Sequence, residues 1–204
     1  MGVRAIFRCS ATVRQMIDGV ADDFTVILAA AQAGDDRAIA QLFTGIHPRL
    51  RRFMWSAEPR FADDLAGEVW EAVARGLRSF NGGESDLRAW IFTIARRRIV
   101  EHRRRATRRK TEPVDDAFFV QMVSNEEPER VVVDTMAATD IVELVKTLLS
   151  ADQAEVVLLR VLGDLDAAQV AAIVGRSENW VRVTQHRALR KLADRVTAKM
   201  GVTR

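Results

Sequence analysis

The chain has one cysteine, Cys9, and no tyrosine. A single thiol excludes an internal disulfide framework, and it excludes a Cys/His zinc site built within one chain. A reducing cytoplasm is the compartment that fits this usage. No apolar run approaches the roughly 20 residues of a membrane span. The opening MGVRAIFRCSATVRQ carries arginines but lacks the sustained apolar stretch of a secretory signal. His47, His102 and His186 are scattered, and Asp63 and Asp64 are neighbours that point in different directions on a helix. No catalytic group, metal site, cofactor or small-molecule substrate is therefore expected. Glycine (11) and proline (4) are few among 204 residues, while Ala, Leu, Val and Arg dominate, which favours helix over sheet.

What is present is segregated charge. The net charge is only +3, but from Arg96 to Lys110 nine Arg or Lys stand against Glu101 alone, a net of +8. Charges this dense repel one another in isolation. A polyanion relieves that repulsion and releases its counterions on binding, so nucleic acid is the expected partner. The bland alternative is a solvated basic helix face. From Thr111 to Asp134 the balance reverses, with seven acids against Arg130, a net of −6. Pro113 and Pro128 punctuate this stretch, which is the best domain boundary in the chain. As a flexible tether of about 24 residues its ends would average roughly 25–30 Å apart. Phe118, Phe119, Val120 and Met122 are apolar for an inert tether, so part of it is open to docking.

The segment DAAQVAAIVGRSENWVRVTQHRALR, Asp166 to Arg190, has the offsets of a helix-turn-helix. Ala171 is small where two helices approach. Gly175 suits a left-handed turn, and Ser177 can cap the second helix. Val170, Ile173, Val174, Val181, Ala188 and Leu192 form the inner face. Arg176, Asn179, Arg182, His186, Arg187 and Arg190 are left outside, where Arg and Asn suit base edges and phosphates.

Upstream, Phe24 to Ala33 reads as a short amphipathic helix, and Asp35 or Asp36 caps the next. That helix carries Ala38, Ile39, Leu42, Phe43 and Ile46 at helical spacing, with an interruption or kink expected at His47-Pro48. A helix over about Ala62 to Arg78 buries Leu65, Val69, Ala72, Val73 and Leu77 and turns Asp63, Asp64, Glu68 and Glu71 outward. Those acids fit either the helix dipole or a partner. Gly67 has no visible local need there. After the Asn81-Gly82-Gly83 turn, Ser85 or Asp86 caps DLRAWIFTIARRRIVEHRRR, with Leu87, Trp90, Ile91, Ile94, Ala95 and Ile99 inward. Trp90 and Phe92 fit either the core or stacking on an unpaired base. Met136 to Leu149 reads as another helix, and Ser150 caps SADQAEVVLLRVL.

Taken in series, these segments resemble the extracytoplasmic-function (ECF) bacterial RNA polymerase sigma factors. ADDLAGEVWEAV looks like the region 2 helix that holds the polymerase clamp. LRAWIFTIARRRIVEHRRR is similar to the segment that opens and reads the −10 element. LSADQAEVVLLRVLGDLDAAQVAAIVGRSENWVRVTQHRALRKL resembles region 4, which reads the −35 element. Gly67, Trp70 and Trp180 depart from the family pattern, which usually has glutamine, often phenylalanine and commonly a small polar residue there.

The resemblance implies an all-α protein of two small helical domains joined by an acidic flexible linker. Residues 1–22 would be an N-terminal extension, either a disordered tail or a stretch upstream of a start at Met16. Residues 23–107 would be region 2, 108–134 the linker and 135–204 region 4. It implies polymerase contacts at Asp63, Asp64, Leu65 and Glu68. Contacts to the −10 element would come from Trp90, Arg96, Arg97, Arg98, His102 and Arg103, and contacts to the −35 element from Arg176, Ser177, Asn179, Arg182 and Arg187. The partners implied are core RNA polymerase, promoter DNA and an anti-sigma factor able to hold the chain at the membrane face. The linker would thread the polymerase's RNA path, its acids mimicking RNA. Two other readings are an operator-binding regulator, which would bind DNA tightly without polymerase, and a metal-dependent nuclease.

Overall fold

Asp35 starts the first long helix by accepting a hydrogen bond from the Ala38 amide at 2.8 Å, which satisfies one of the free N–H groups of the first turn. The computed structural model describes residues 23–111, 145 and 147–200. Among them every regular element is helical. In chain order these are α1 (residues 23–33), α2 (Asp36–Ala57), a 3-10 turn (Pro59–Phe61), α3 (Ala62–Gly76), a second 3-10 turn (Leu77–Ser79) and α4 (Glu84–Thr111). The second half has α5 (Ala151–Leu162), α6 (Ala167–Val174) and α7 (Glu178–Met200).

Pro48 lies inside α2, which continues unbroken to Ala57. The expected interruption is absent because Ile46, Leu50, Phe53 and Met54 continue one buried face across it. Burying such side chains contributes roughly 1.5–3 kcal/mol each, enough to offset the ~3 kcal/mol that an interior proline costs. Ile39 and Phe43, expected to face inward, are exposed. They edge a cleft of about 370 Å³ whose floor includes Trp70, Val73, Leu77 and Ile91. Helix α3 ends at Gly76 rather than Arg78, and α4 begins at Glu84, before the expected caps. Asp86 instead accepts from the Gly83 amide at 2.9 Å.

Leu50, Met54, Val69, Ile91 and Phe92 are fully buried between α2, α3 and α4, and the rings of Phe53 and Phe92 meet edge-on at 5.3 Å. Phe92 is thus a core residue, not a stacking platform. Helix α1 is tied down by Gln32, whose amide donates to the Leu77 and Phe80 carbonyls at 2.9 and 2.7 Å.

In the second half Ser150 and Asp166 each begin a helix with a reciprocal capping box, to Gln153 and Gln169 respectively. Gly175 ends α6 in the left-handed conformation at φ 70°. Its amide and that of Arg176 both return to the Ala171 carbonyl, closing the turn that fixes α7 against α6. Val156, Leu159, Leu165, Val170 and Val181 form the core here. Arg160 pins the α5–α6 connection by donating to the Leu165 carbonyl and to Gln185. Val145, Thr147 and Leu148 are helical and precede α5. The expectations for residues 1–22, for 112–134 and for most of the helix before Ser150 lie outside the described residues.

Candidate nucleic-acid interface

Helix α7 is held by its apolar side, with Val181 and Ala188 fully buried and Thr184 nearly so. Its opposite side is thereby forced outward. Arg176, Ser177, Asn179, Arg182, His186, Arg187 and Arg190 are all exposed or half-exposed. Ser177 is the N-cap, accepting from the Trp180 amide at 3.2 Å. The Arg176 guanidinium sits 5.5 Å from the centre of the Trp180 ring, a cation–π arrangement that restrains it beside the start of the helix. Arg182 is paired to Glu178 one turn earlier, Nε to Oε1 at 3.0 Å. Asn179 and Arg187 have no ion pair or side-chain hydrogen bond among the described residues.

Helix α4 spans 28 residues, about 42 Å at the usual rise of 1.5 Å per residue. Leu87, Ile91, Ala95 and Ile99 anchor it. The residues singled out for the −10 element have varied surroundings. Trp90 is half-buried, stacked on Phe80 at 5.3 Å and packed over Gly76. Arg96 pairs with Glu155 of α5, Nε to Oε1 at 2.9 Å. Arg97 is exposed and, among the described residues, reaches only Glu101, one turn along the same helix. Arg98 bridges Glu101 at 3.0 Å and Glu68 of α3 at 3.6 Å. The His102 ring lies 4.5 Å from that of Phe61, and Arg103 holds Glu58 at 2.6 Å and the Ala57 carbonyl at 3.0 Å. Arg104 and Arg105 are exposed with no ion pair among the described residues. The Arg97 hydrogen bond is the chief reason that Glu101 is held below the usual carboxylate range.

The α3 face carries the residues singled out for polymerase. Asp63 is in a two-point pair with Arg51 of α2, at 2.6 and 3.2 Å, and this hydrogen bonding keeps its carboxyl below the ordinary range. Asp64 is exposed and forms no ion pair or hydrogen bond among the described residues. Glu68 is engaged by Arg98. Leu65 is only 2% exposed and belongs to the core, so it supports the face without presenting a surface. Beside this face the Trp70 indole donates to His47 Nδ1 at 3.1 Å, and Phe43 stacks on His47 at 4.4 Å. Partial burial, then the Arg51 charge, push the His47 pKa below its ordinary value, against the pull of Asp63. This cluster carries no signal in the sequence, because Trp70 and His47 lie 23 positions apart. Glu155, the partner of Arg96, is equally silent in the sequence, at a separation of 59. No group of three or more His, Cys, Asp or Glu suited to a metal occurs among the described residues.

A helix-turn-helix with an outward basic recognition face, joined to a second helical domain bearing a long arginine-rich helix, defines a DNA-binding protein. Residues 42–109 match the family model of sigma-70 region 2, and residues 141–192 that of sigma-70 region 4. The ECF RNA polymerase sigma factor SigD of Mycobacterium tuberculosis (strain ATCC 25618 / H37Rv) is 30% identical over 178 residues, covering 84% of this chain and 83% of the relative. The ECF sigma factor BldN of Streptomyces coelicolor is 27% identical over 169 residues, covering 82% of this chain and 63% of BldN. Among solved structures, the sigma factor RpoE of Bartonella quintana in complex with the anti-sigma factor NepR is 25% identical, with a TM-score of 0.57, covering 78% of this chain and 96% of that one. CnrH in complex with the cytosolic domain of CnrY shares the fold, at 20% identity and a TM-score of 0.56 over 86% of this chain and 97% of that one. The chain belongs to the ECF RNA polymerase sigma factors. It is a transcription initiation factor that directs RNA polymerase to promoters.

Proposed function

We propose that three faces divide the work of this sigma factor. Asp64, with Asp63 and Glu68 on the same helix, meets core RNA polymerase, while Leu65 holds that helix in place from the core. Helix α4 receives the −10 element through Trp90, Arg96, Arg97, Arg98, His102 and Arg103. There a basic surface captures unstacked bases and offsets the few kcal/mol of unstacking. Helix α7 enters the −35 duplex, with Arg176, Asn179 and Arg187 toward base edges and phosphates. Arg182 is restrained by Glu178, and Ser177 shapes the helix start.

On this reading residues 23–107 work as region 2 and 135–204 as region 4, with 108–134 between them. Helix α4 continues four residues past the first of these boundaries, to Thr111. An anti-sigma factor covers these faces until a signal arrives, as the complex of RpoE with NepR suggests by likeness. The chain works in the cytoplasm and catalyses no reaction itself. Among the described residues no helix is long and apolar enough to cross a membrane.

The observation that carries this reading is the pairing of two outward basic helices, α4 and α7, on separate helical domains. The test is transcription in vitro with purified core polymerase on candidate promoters. Transcripts starting at defined sites only when the chain is added are the expected result. Tight operator binding without polymerase, combined with no effect on transcript start sites, would overturn it.

A further inference from the structure

Val183 is 41% exposed and stands in the middle of the basic side of α7. At about 100° per residue it lies roughly 200° around the helix from Val181, which is fully buried. Its neighbours one turn away are Asn179 and Trp180 before it and His186 and Arg187 after it. Leu189 is as exposed, at 43%, but it lies roughly 80° from Val181 and so borders the buried stripe. Val183 is on the far side, and a β-branched residue weakens an exposed helix relative to alanine. Neither packing nor helix propensity therefore accounts for a valine there. Trp180 widens the apolar area beside it: the ring is half-buried and carries the Arg176 guanidinium 5.5 Å from its centre. The two side chains form an apolar patch set among Arg176, Asn179 and Arg187.

We propose that Val183, with Trp180 beside it, reads the 5-methyl group of a thymine in the −35 duplex. The inference rests on the assignment of α7 to that duplex. A recognition helix meets base edges in the major groove with its first turns, and Val183 is in the second turn of α7. In that groove a thymine presents a methyl group, which an apolar side chain matches and a polar one does not. Charge decides between DNA and an apolar protein surface as the occupant. Arg176, Arg187 and Arg190 around the patch suit phosphates, whereas an apolar surface would desolvate them without a partner. Residues one turn apart stand about 5–6 Å from each other, or one to two base-pair steps of about 3.4 Å. Asn179 and Arg187 can therefore take the edges of neighbouring pairs while Val183 covers the methyl. Burying one such group is worth about a fourfold change in affinity. Val183 thus sets which base is accepted at one position, and the arginines supply most of the binding.

The test uses the full chain bound to core polymerase. Promoter duplexes randomised across the −35 element are selected for binding. Each thymine enriched there is then replaced by deoxyuridine, which differs only in lacking the methyl group. Wild type is expected to bind the deoxyuridine duplex about fourfold more weakly at one such position. Val183→Ser is expected to remove that difference, and Val183→Ile, which keeps an apolar side chain, to retain it. The comparison of thymine with deoxyuridine is internal to each variant, so a general loss of stability or affinity does not imitate the effect. An enriched element without thymine overturns the methyl contact, and so does equal binding of both duplexes by wild type. A difference that Val183→Ser leaves intact, or that Val183→Ile also abolishes, overturns it as well. Each of these leaves α7 on the −35 duplex. A selected pool with no base preference anywhere in the −35 element overturns that assignment together with the contact.

Discussion

Two glycines of α3 should respond to the same methyl with opposite signs. Gly67 is exposed, and a Cβ built on it meets nothing within 4 Å. Only helix propensity is then in play, and Gly67→Ala should stabilise by about 0.8–1 kcal/mol. For a chain of this size that is a rise of roughly 2–4 °C in melting temperature. At Gly76 the same Cβ would stand 2.7 Å from Cζ2 and 2.9 Å from Cη2 of Trp90. Carbon atoms prefer about 3.5–4.0 Å, so the indole must move by most of an ångström and leave its stack on Phe80. Overpacking of this kind costs about 1–3 kcal/mol, against which the propensity gain is under 1. Gly76→Ala should therefore lower the melting temperature and change the tryptophan emission of the chain, while Gly67→Ala leaves emission unchanged. Thermal unfolding followed by circular dichroism and fluorescence reads both. A Gly67→Ala chain that melts lower than wild type would refute the reasoning, because it would mean that the bare backbone there serves the fold. Gly67 is four residues from Asp63 and three from Asp64, on one helix face.

Other consequences follow from single sites. Asp64→Ala should weaken binding to core polymerase in a pull-down or anisotropy titration while leaving the melting temperature within about 2 °C, since exposed sites of this kind change stability little; unaltered binding would count against the polymerase face. His47 accepts the Trp70 indole N–H at Nδ1 and has a lowered pKa. The unfolded chain then binds more protons than the folded one as pH falls below about 6.5, so stability declines on acidification from there. In His47→Asn, whose side-chain oxygen can replace Nδ1, that part of the pH dependence should vanish from melting curves. Gly175→Ala places a Cβ at φ 70°; it should cost about 1–2 kcal/mol and weaken −35 duplex binding by misaiming α7. Phe92→Ala should cost about 3–5 kcal/mol in chemical denaturation, as for other fully buried aromatics.

Local chemistry is legible in the order of residues alone. Ser150 and Ser177 cap helices where expected, because a cap is a bond across three residues and needs no tertiary context. Gly175 turns the chain because its φ follows from lacking a Cβ. The outward set Arg176, Asn179, Arg182 and Arg187 follows from helical periodicity. The two-domain helical class and the sigma family are also within reach, since three motifs in series carry them. What the chain does not declare is which charges are free. Arg96 and Glu155, Arg51 and Asp63, and Trp70 and His47 are 59, 12 and 23 positions apart. Leu65 is core, as its periodicity implies, although the family resemblance sets it among the polymerase contacts, while Ile39 and Phe43 share the apolar repeat of α2 and are exposed. Periodicity places a side chain on a stripe, but how wide a stripe is covered depends on which helix lies across it. Pro48 makes the same point: its local cost is a property of the residue, and the burial that outweighs it exists only once α2, α3 and α4 have met.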